Sequence, residues 1–288
     1  MKFKPISCFL CLCLIILSAC TSRIDNIMVQ LTNQSHSQMM GYVIDYNGYT
    51  IVVDGGTVDD AKHLESIIKE VSDTDTVDAW FLTHYHKDHT GALAYLLESN
   101  SSINIKNVYH NFPDEEWVET YEYDRLSDFQ YISSNLNFFK NVSEFKENDV
   151  ITVGDAKVEV LRDFDPSITI NSGNNSSSVF RIDMDELSVL FLGDLGIEGG
   201  EQLIEKASDK IKNMDYVQMS HHGQAGVSFE VYKIVNPKYC LWPTTDWLWE
   251  NSDNKYKTNE TKIWMEKLDV EKNFVSNKND IFIPLNRE

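Results

Sequence analysis

Four metal-competent side chains, His84, His86, Asp88 and His89, fall within six residues, and no other feature constrains the fold of this chain as strongly. The run follows the apolar Trp80-Phe81-Leu82-Thr83 and precedes Thr90-Gly91-Ala92-Leu93, so it is predicted to join a strand end to a helix start. Alternate side chains of extended backbone share a face, so His84 and His86 point the same way and can grip one ion. Asp88 and His89, in the first turn of the helix, project to a neighbouring point. The spacing supplies ligands for two adjacent cations; the bland alternative, four solvated polar residues on a turn, does not account for such density.

Two further strand ends carry matching chemistry. Val189-Leu190-Phe191-Leu192-Gly193-Asp194-Leu195-Gly196 reads as a buried strand ending on one carboxylate between glycines, where backbone can approach an ion closely. Val217-Gln218-Met219-Ser220-His221-His222-Gly223 runs another strand into paired histidines. Ile51-Val52-Val53-Asp54-Gly55-Gly56 repeats the pattern upstream. Together these motifs resemble the signature of the metallo-β-lactamase superfamily. The resemblance implies His84 and His86 on a first metal, Asp88, His89 and His221 on a second, and Asp194 bridging. It makes Asp54 a residue that orients a ligand. His222 is assigned a catalytic, substrate-contacting role, and the two neighbouring histidines can exchange parts; Asp88 is assigned a share in proton transfer. The cofactors expected are two divalent metal ions, zinc by its liking for imidazole, with manganese open because of the carboxylates.

The first residues read as an address. Lys2 and Lys4 precede an apolar stretch, and Leu17-Ser18-Ala19-Cys20 resembles a bacterial lipobox, which makes 1–19 a lipoprotein signal peptide and Cys20 the lipidated first residue of a membrane-anchored, extracytoplasmic protein. The stretch is short for a bilayer span. Residues 20–35 are then tether and start of the body, and 36–288 one domain, with no repeat or Pro/Gly linker to divide it. Three of five cysteines lie in the signal and Cys20 would carry the lipid, leaving Cys240 without an intrachain partner, so stability must come from a core. The formal charge of −20, about −22 without Lys2 and Lys4, argues against extended nucleic acid as a partner, since a polyanion needs a positive track. A short phosphoester or cell-envelope substrate stays open.

Apolar runs predict a hairpin of 41–46 and 49–54 across Asn47-Gly48, strands at 77–82, 105–109, 157–161, 178–182, 188–192 and 216–219, and helices at 61–71, 92–97, 201–211 and 260–268. Strand pairs followed by interleaved helices, twice over, suit the αββα sandwich that the resemblance implies. Residues 113–139 break this rhythm with aromatics among acids; they read as helices over the sheet edge, either packed on the body or forming a lid.

Asn174-Asn175-Ser176-Ser177-Ser178-Val179 and Ser220-His221-His222-Gly223 further resemble the extracytoplasmic hydrolase domain of DNA-internalisation competence proteins, in which the Asn/Ser run stands where lactamase-like enzymes carry a third histidine. Asn175 and Ser177 are thereby expected near ligands or substrate, as is His110 from its strand end. A comparable stretch near the end, Lys255-Tyr256-Lys257-Thr258, lacks the rim histidine of that branch. Such a cation pair lowers the pKa of a bound water to near neutrality and polarises an ester, which suits phosphodiester hydrolysis. The rival readings are a carboxylic ester, lactone or β-lactam hydrolase, and a non-catalytic lipoprotein that binds metal or a partner.

Overall fold

The computed structural model describes residues 26–99, 101–185 and 187–285. Cys20 and the signal segment lie outside the described residues. Among the described residues no helix is long and apolar enough to cross a membrane.

Two seven-stranded sheets make the frame, and each repeats one pattern. The first runs Ile281–Pro284, Ile27–Gln30, Gly41–Tyr46 and Tyr49–Asp54 as antiparallel neighbours, then adds Ala79–Phe81, Val108–His110 and Val142–Glu144 in parallel. The second runs Val150–Val153, Ala156–Arg162, Val179–Met184 and Leu187–Phe191 antiparallel, then Tyr216–Gln218, Tyr239–Trp242 and Lys272–Val275 parallel. Ile27–Gln30, in the stretch read as tether and start of the body, is thus already a strand of the first sheet. The expected hairpin forms across Asn47 and Gly48, whose φ of 50° and 79° are those of a tight primed turn. The expected strand over 77–82 is interrupted at Asp78, whose carboxylate accepts the Thr50 N–H at 2.9 Å. Thr76–Val77 pairs instead with Asn104–Ile105 in a small separate sheet.

Period-two alternation divides the strand side chains between layers. Met28, Tyr42, Ile44, Ile51, Val53 and Phe81 of the first sheet meet Val158, Val160, Phe180, Ile182 and Phe191 of the second in a core between the sheets. Their alternates, Val29, Val43, Val52 and Trp80, face the helices Ala61–Val71 and Lys87–Glu98 through Leu64, Ile68 and Leu93. Leu161, Leu190 and Val217 do the same on the far side against Ile197–Ala207 and Phe229–Val235, through Leu203 and Val231. The result is the αββα sandwich expected from the strand and helix pattern. Phe180 ties the layers: its ring centroid lies 5.5 Å from Phe81 across the sheets and 5.6 Å from Phe191 beside it. Truncating so buried a ring typically costs about 3–5 kcal/mol.

Candidate metal centre

The parallel halves of the two sheets place the chemistry, because ligand sites of such sheets gather beyond the carboxyl ends of the strands. Asp54 ends its strand; His84 follows Ala79–Phe81 and leads into Lys87–Glu98, which carries Asp88 and His89 in its first turn. Asp194 follows Leu187–Phe191, and His221 and His222 follow Tyr216–Gln218. Asp88, His89, Asp194 and His222 each offer one ligand atom, all within 4.8 Å of one another. The distances are 3.2 Å from His89 Nε2 to Asp194 Oδ1, 3.4 Å from His222 Nε2 to Asp88 Oδ2 and 3.5 Å from His222 Nε2 to Asp194 Oδ2. His84 Nε2 is buried with no hydrogen-bond partner, and His89 Nε2, His222 Nε2 and Asp194 Oδ1 are buried and meet only members of this cluster. Buried polar atoms are rarely left so, and imidazoles and carboxylates that meet only one another in the interior fit donors converging on a common cation.

Outer partners fix which ring nitrogen each histidine presents. Asp54, fully buried, accepts from Thr83 N at 2.8 Å, from Thr83 Oγ1 at 2.8 Å and from His89 Nδ1 at 2.7 Å. With its proton committed to Asp54, the Thr83 hydroxyl accepts from His84 Nδ1 at 3.1 Å, leaving His84 Nε2 as a lone pair. His222 Nδ1 donates to Pro243 O at 2.9 Å, so Nε2 faces Asp88 and Asp194. The ring of His84 packs 4.1 Å from that of His89 and 4.5 Å from that of His86, centroid to centroid.

Charge follows from the same contacts. Burial pushes His84 well below its ordinary value, helped by the imidazoles of His89 and His86, so it is neutral and able to ligate. Burial acts the same way on His89 and His222, but the carboxylates of Asp194 and Asp54 raise His89 well above the ordinary range, and Asp194 and Asp88 raise His222 to about 9. Burial alone would lift the Asp194 carboxyl, yet His89 and His222 hold it well below the usual carboxylate range. The protein alone thus balances two carboxylates with protons on two imidazoles, protons that a divalent cation held by the same atoms would displace.

His221 and His222 sit in left-handed backbone, φ 49° and 56°, followed by Gly223 at 79°. Left-handed residues other than glycine cost of order 1–3 kcal/mol each and persist where surroundings over-determine them. Here His221 N donates to Gly193 O at 3.1 Å, Ser220 Oγ to Leu195 O at 2.7 Å, and Ser220 N to the Tyr232 hydroxyl at 3.0 Å. A side chain at Gly223 would meet the Trp242 ring at 2.4 Å, so this buried tryptophan is the floor of the turn. The turn sends the two imidazoles apart: His222 enters the cluster, while His221, its side chain 23% exposed, leaves Nε2 3.8 Å from Asp194 Oδ2. The geometry therefore gives His222 the position that the resemblance assigned to His221, the exchange between the pair that the sequence left open.

The Asn/Ser run supports the Asp194 loop. Asn175 Oδ1 accepts from Gly196 N at 2.9 Å and Gly199 N at 3.1 Å, and Ser177 Oγ accepts from Asp194 N at 3.0 Å. Arg162, fully buried, donates to Ser177 O at 2.7 Å and Asn175 O at 2.9 Å, a bonding pattern that strand periodicity does not reveal. His110 lies elsewhere: it lines a pocket with Ser133, Asn137 and Glu144, and burial lowers its pKa to about 4. Glu122 carries no sequence signal among its acidic neighbours, yet both its oxygens lie 3.2 Å from His86 Nε2. Pro243, which orients His222 through its carbonyl, is equally silent because any residue offers one.

Residues 40–244 match the metallo-β-lactamase superfamily, and the chain belongs to it. Among curated proteins, the endoribonuclease YSH1 of Mycosarcoma maydis is 29% identical over 183 residues, 59% of this chain. The chain spans 20% of that protein's length. Among solved structures, the metallo-β-lactamase-fold protein YhfI from Bacillus subtilis superposes with a TM-score of 0.55 at 14% identity, covering 90% of this chain and 100% of that one. CmlA, a diiron β-hydroxylase from Streptomyces venezuelae, superposes with a TM-score of 0.57 at 12% identity, over 91% of this chain and 54% of that one. Identities this low speak for the fold alone.

Proposed function

We propose that this chain is a metal-dependent phosphodiesterase, carried on the outer face of a membrane by a lipid on Cys20. The observation that carries the catalytic reading is the convergence of Asp88, His89, Asp194 and His222 on one point, with the unpartnered, buried His84 Nε2 on the ring packed against His89. His84 and His86 are the histidines for a first cation, Asp88, His89 and His222 the ligands of a second, with Asp194 between them. Zinc suits the imidazoles, and manganese suits the carboxylates. Two such cations would supply an acidified water and a Lewis acid for the ester oxygen. Asp88, whose side chain is 25% exposed, is the carboxylate placed to accept a proton from the attacking water, and His221 faces substrate from the same rim.

Three observations support a phosphodiester over a carboxylic ester. The Asn/Ser run resembles the one that replaces a third histidine in the competence-protein branch, and Asn175 and Ser177 are spent on holding the Asp194 loop. The curated relative is named an endoribonuclease. A cavity of about 230 Å³ opens beside the turn, lined by Ile197, Gln224, Phe229 and Trp264 with the cation Lys257, which suits a small anion with an apolar body. With a net charge of −20, a nucleic-acid fragment or a phosphodiester decoration of the envelope, such as phosphorylcholine on teichoic acid, fits better than a long polyanion. The purified protein, loaded with zinc and separately with manganese, is tested on bis-nitrophenyl phosphate, single-stranded DNA, phosphorylcholine esters and a chromogenic cephalosporin. Turnover of at least one of the first three without the fourth is expected; hydrolysis of the cephalosporin with none of the phosphodiesters overturns the reading. The anchor is checked by fatty-acid labelling, which Cys20→Ala should abolish.

A further inference from the structure

Glu122, we infer, is the positioning residue of His86: it holds the proton on Nε2 so that Nδ1 faces the first cation, and it makes the helical segment over the sheet edge part of the metal centre. The inference rests on the metal-dependent reading above.

The other three histidines each have an outer partner on Nδ1: Thr83 for His84, Asp54 for His89 and the Pro243 carbonyl for His222. Each therefore turns Nε2 inward. His86 is reversed. Its Nε2 is the nitrogen engaged, by both Glu122 oxygens at 3.2 Å, and a carboxylate can only accept there, so the lone pair is left on Nδ1. His86 and Glu122 side chains are only 8% and 21% exposed, so this pair is not a loose surface contact. An outer carboxylate of this kind fixes the ring and raises the basicity of the ligating nitrogen.

The environment of Glu122 is built to hold it. It stands at the elbow between the helices Glu115–Tyr121 and Leu126–Phe138, with its N–H donated to Val118 O at 2.8 Å and its carbonyl accepting from Arg125 N at 2.8 Å. Trp117, Val118, Phe129, Ile132 and Leu136 bury both helices against the first sheet's outer core. The Tyr85 hydroxyl, from the residue between His84 and His86, donates to Glu122 Oε2, and its buried ring meets Phe129 edge-on at 5.6 Å. Ser172 Oγ donates to Tyr121 O at 2.8 Å, drawing the helix Ser172–Asn175 over the elbow. That helix brings Gly173 to the pair, where a Cβ would stand 1.7 Å from Glu122 Oε2 and 2.4 Å from His86 Nε2. The backbone of the Asn/Ser segment thus leaves room for a carboxylate supplied by another part of the chain.

The test is metal affinity. Apo protein is titrated with zinc against a chromophoric chelator, and with cobalt for its visible spectrum, for wild type, Glu122→Ala, Glu122→Gln and Gly173→Ala. Wild type should show two binding steps. Glu122→Ala should weaken one step by about 10- to 100-fold and leave the other within about 3-fold, with the melting temperature of the apo protein little changed. Glu122→Gln, whose amide oxygen still accepts from Nε2, should retain most of that affinity, a rescue that loss of packing alone does not predict. Gly173→Ala should resemble Glu122→Ala by displacing the carboxylate. If wild type binds two ions and Glu122→Ala keeps both affinities, this inference fails alone. If Glu122→Ala does not fold, Gly173→Ala decides: two wild-type affinities there overturn it. A wild type that binds no metal overturns the metal-dependent reading, and this inference with it.

Discussion

Two imidazole–carboxylate pairs of nearly equal length stand in this protein, and they do different things. His89 Nδ1 meets Asp54 Oδ2 at 2.7 Å with both side chains fully buried. His63 Nε2 meets Asp280 Oδ2 at 2.8 Å with the side chains 24% and 13% exposed. The first pair is one link of a chain that continues through His89 Nε2 to Asp194. The second joins the helix Ala61–Val71 to the loop before the last strand, where Asp280 also accepts from Thr32 N at 2.8 Å, and His63 belongs to no group of three metal-competent residues among those described. Equal distances therefore do not signal equal roles. What separates them is burial and what the far ring nitrogen faces.

The sharpest way to break that contrast is to remove what His89 faces. Asp194→Ala should abolish high-affinity metal binding and reduce turnover by more than about 100-fold, since outer partners alone are worth about 10–100-fold. His222→Ala should likewise strip metal, whereas His221→Ala should keep metal and lose turnover; metal analysis and rates on the three proteins check this, and the reverse outcome for the histidine pair returns the metal to His221. Next in size, Asp54→Asn should lower metal affinity by about 10–100-fold while Asp280→Asn leaves it unchanged, measured by chelator competition. Equal responses at the two carboxylates would end the distinction.

Two smaller effects concern protons. Because His222 titrates at about 9 in the protein alone, zinc must displace a proton at neutral pH; affinity should rise as pH climbs from 6 towards 9 and then level, with proton release seen as buffer-dependent heats in calorimetry. The hydrogen bond to Asp280 is the main cause raising His63 above its ordinary 6.5, partly offset by burial. Its contribution to stability is therefore full below pH 6.5 and is lost as pH rises through the raised folded value. His63→Ala should cost up to about 1 kcal/mol at pH 6 and less at pH 9, read from denaturant midpoints, with metal content intact.

What was legible in the chain was whatever depends on local order. The spacing in His84 to His89 fixes a strand end and a helix start whatever the rest of the protein does, and Asn47-Gly48 suffices for its hairpin. Short edge strands such as Val142–Glu144 and Lys272–Val275 carry too few apolar residues to stand out, because much of their surface is wet. The choice between His221 and His222 is set by two left-handed residues, which depend on Gly193, Leu195, Tyr232 and Trp242 arriving from elsewhere. Glu122 is legible only in three dimensions, since nothing in a run of acids marks the one that turns inward. The segment of residues 113–139 reads in sequence as packing or as lid; its helices are packed, and the Glu122 carboxylate at their elbow meets His86.

The two sheets contribute donors in equal measure, Asp88 and His89 from the helix that follows a strand of the first, Asp194 and His222 from the turns that follow two strands of the second. A cation held there spans the midplane of the sandwich as a cross-link would. Between the sheets the contact is otherwise an apolar layer with a few hydrogen bonds, such as Gln30 Nε2 to the Trp242 carbonyl at 2.6 Å, whereas a coordinated ion gathers several directional bonds at one point. The parting of the halves then waits on metal release, so the holoprotein should owe its persistence to a slow unfolding rate more than to its equilibrium stability, and a chelator would shorten its lifetime at a given temperature without altering a contact in the apolar core.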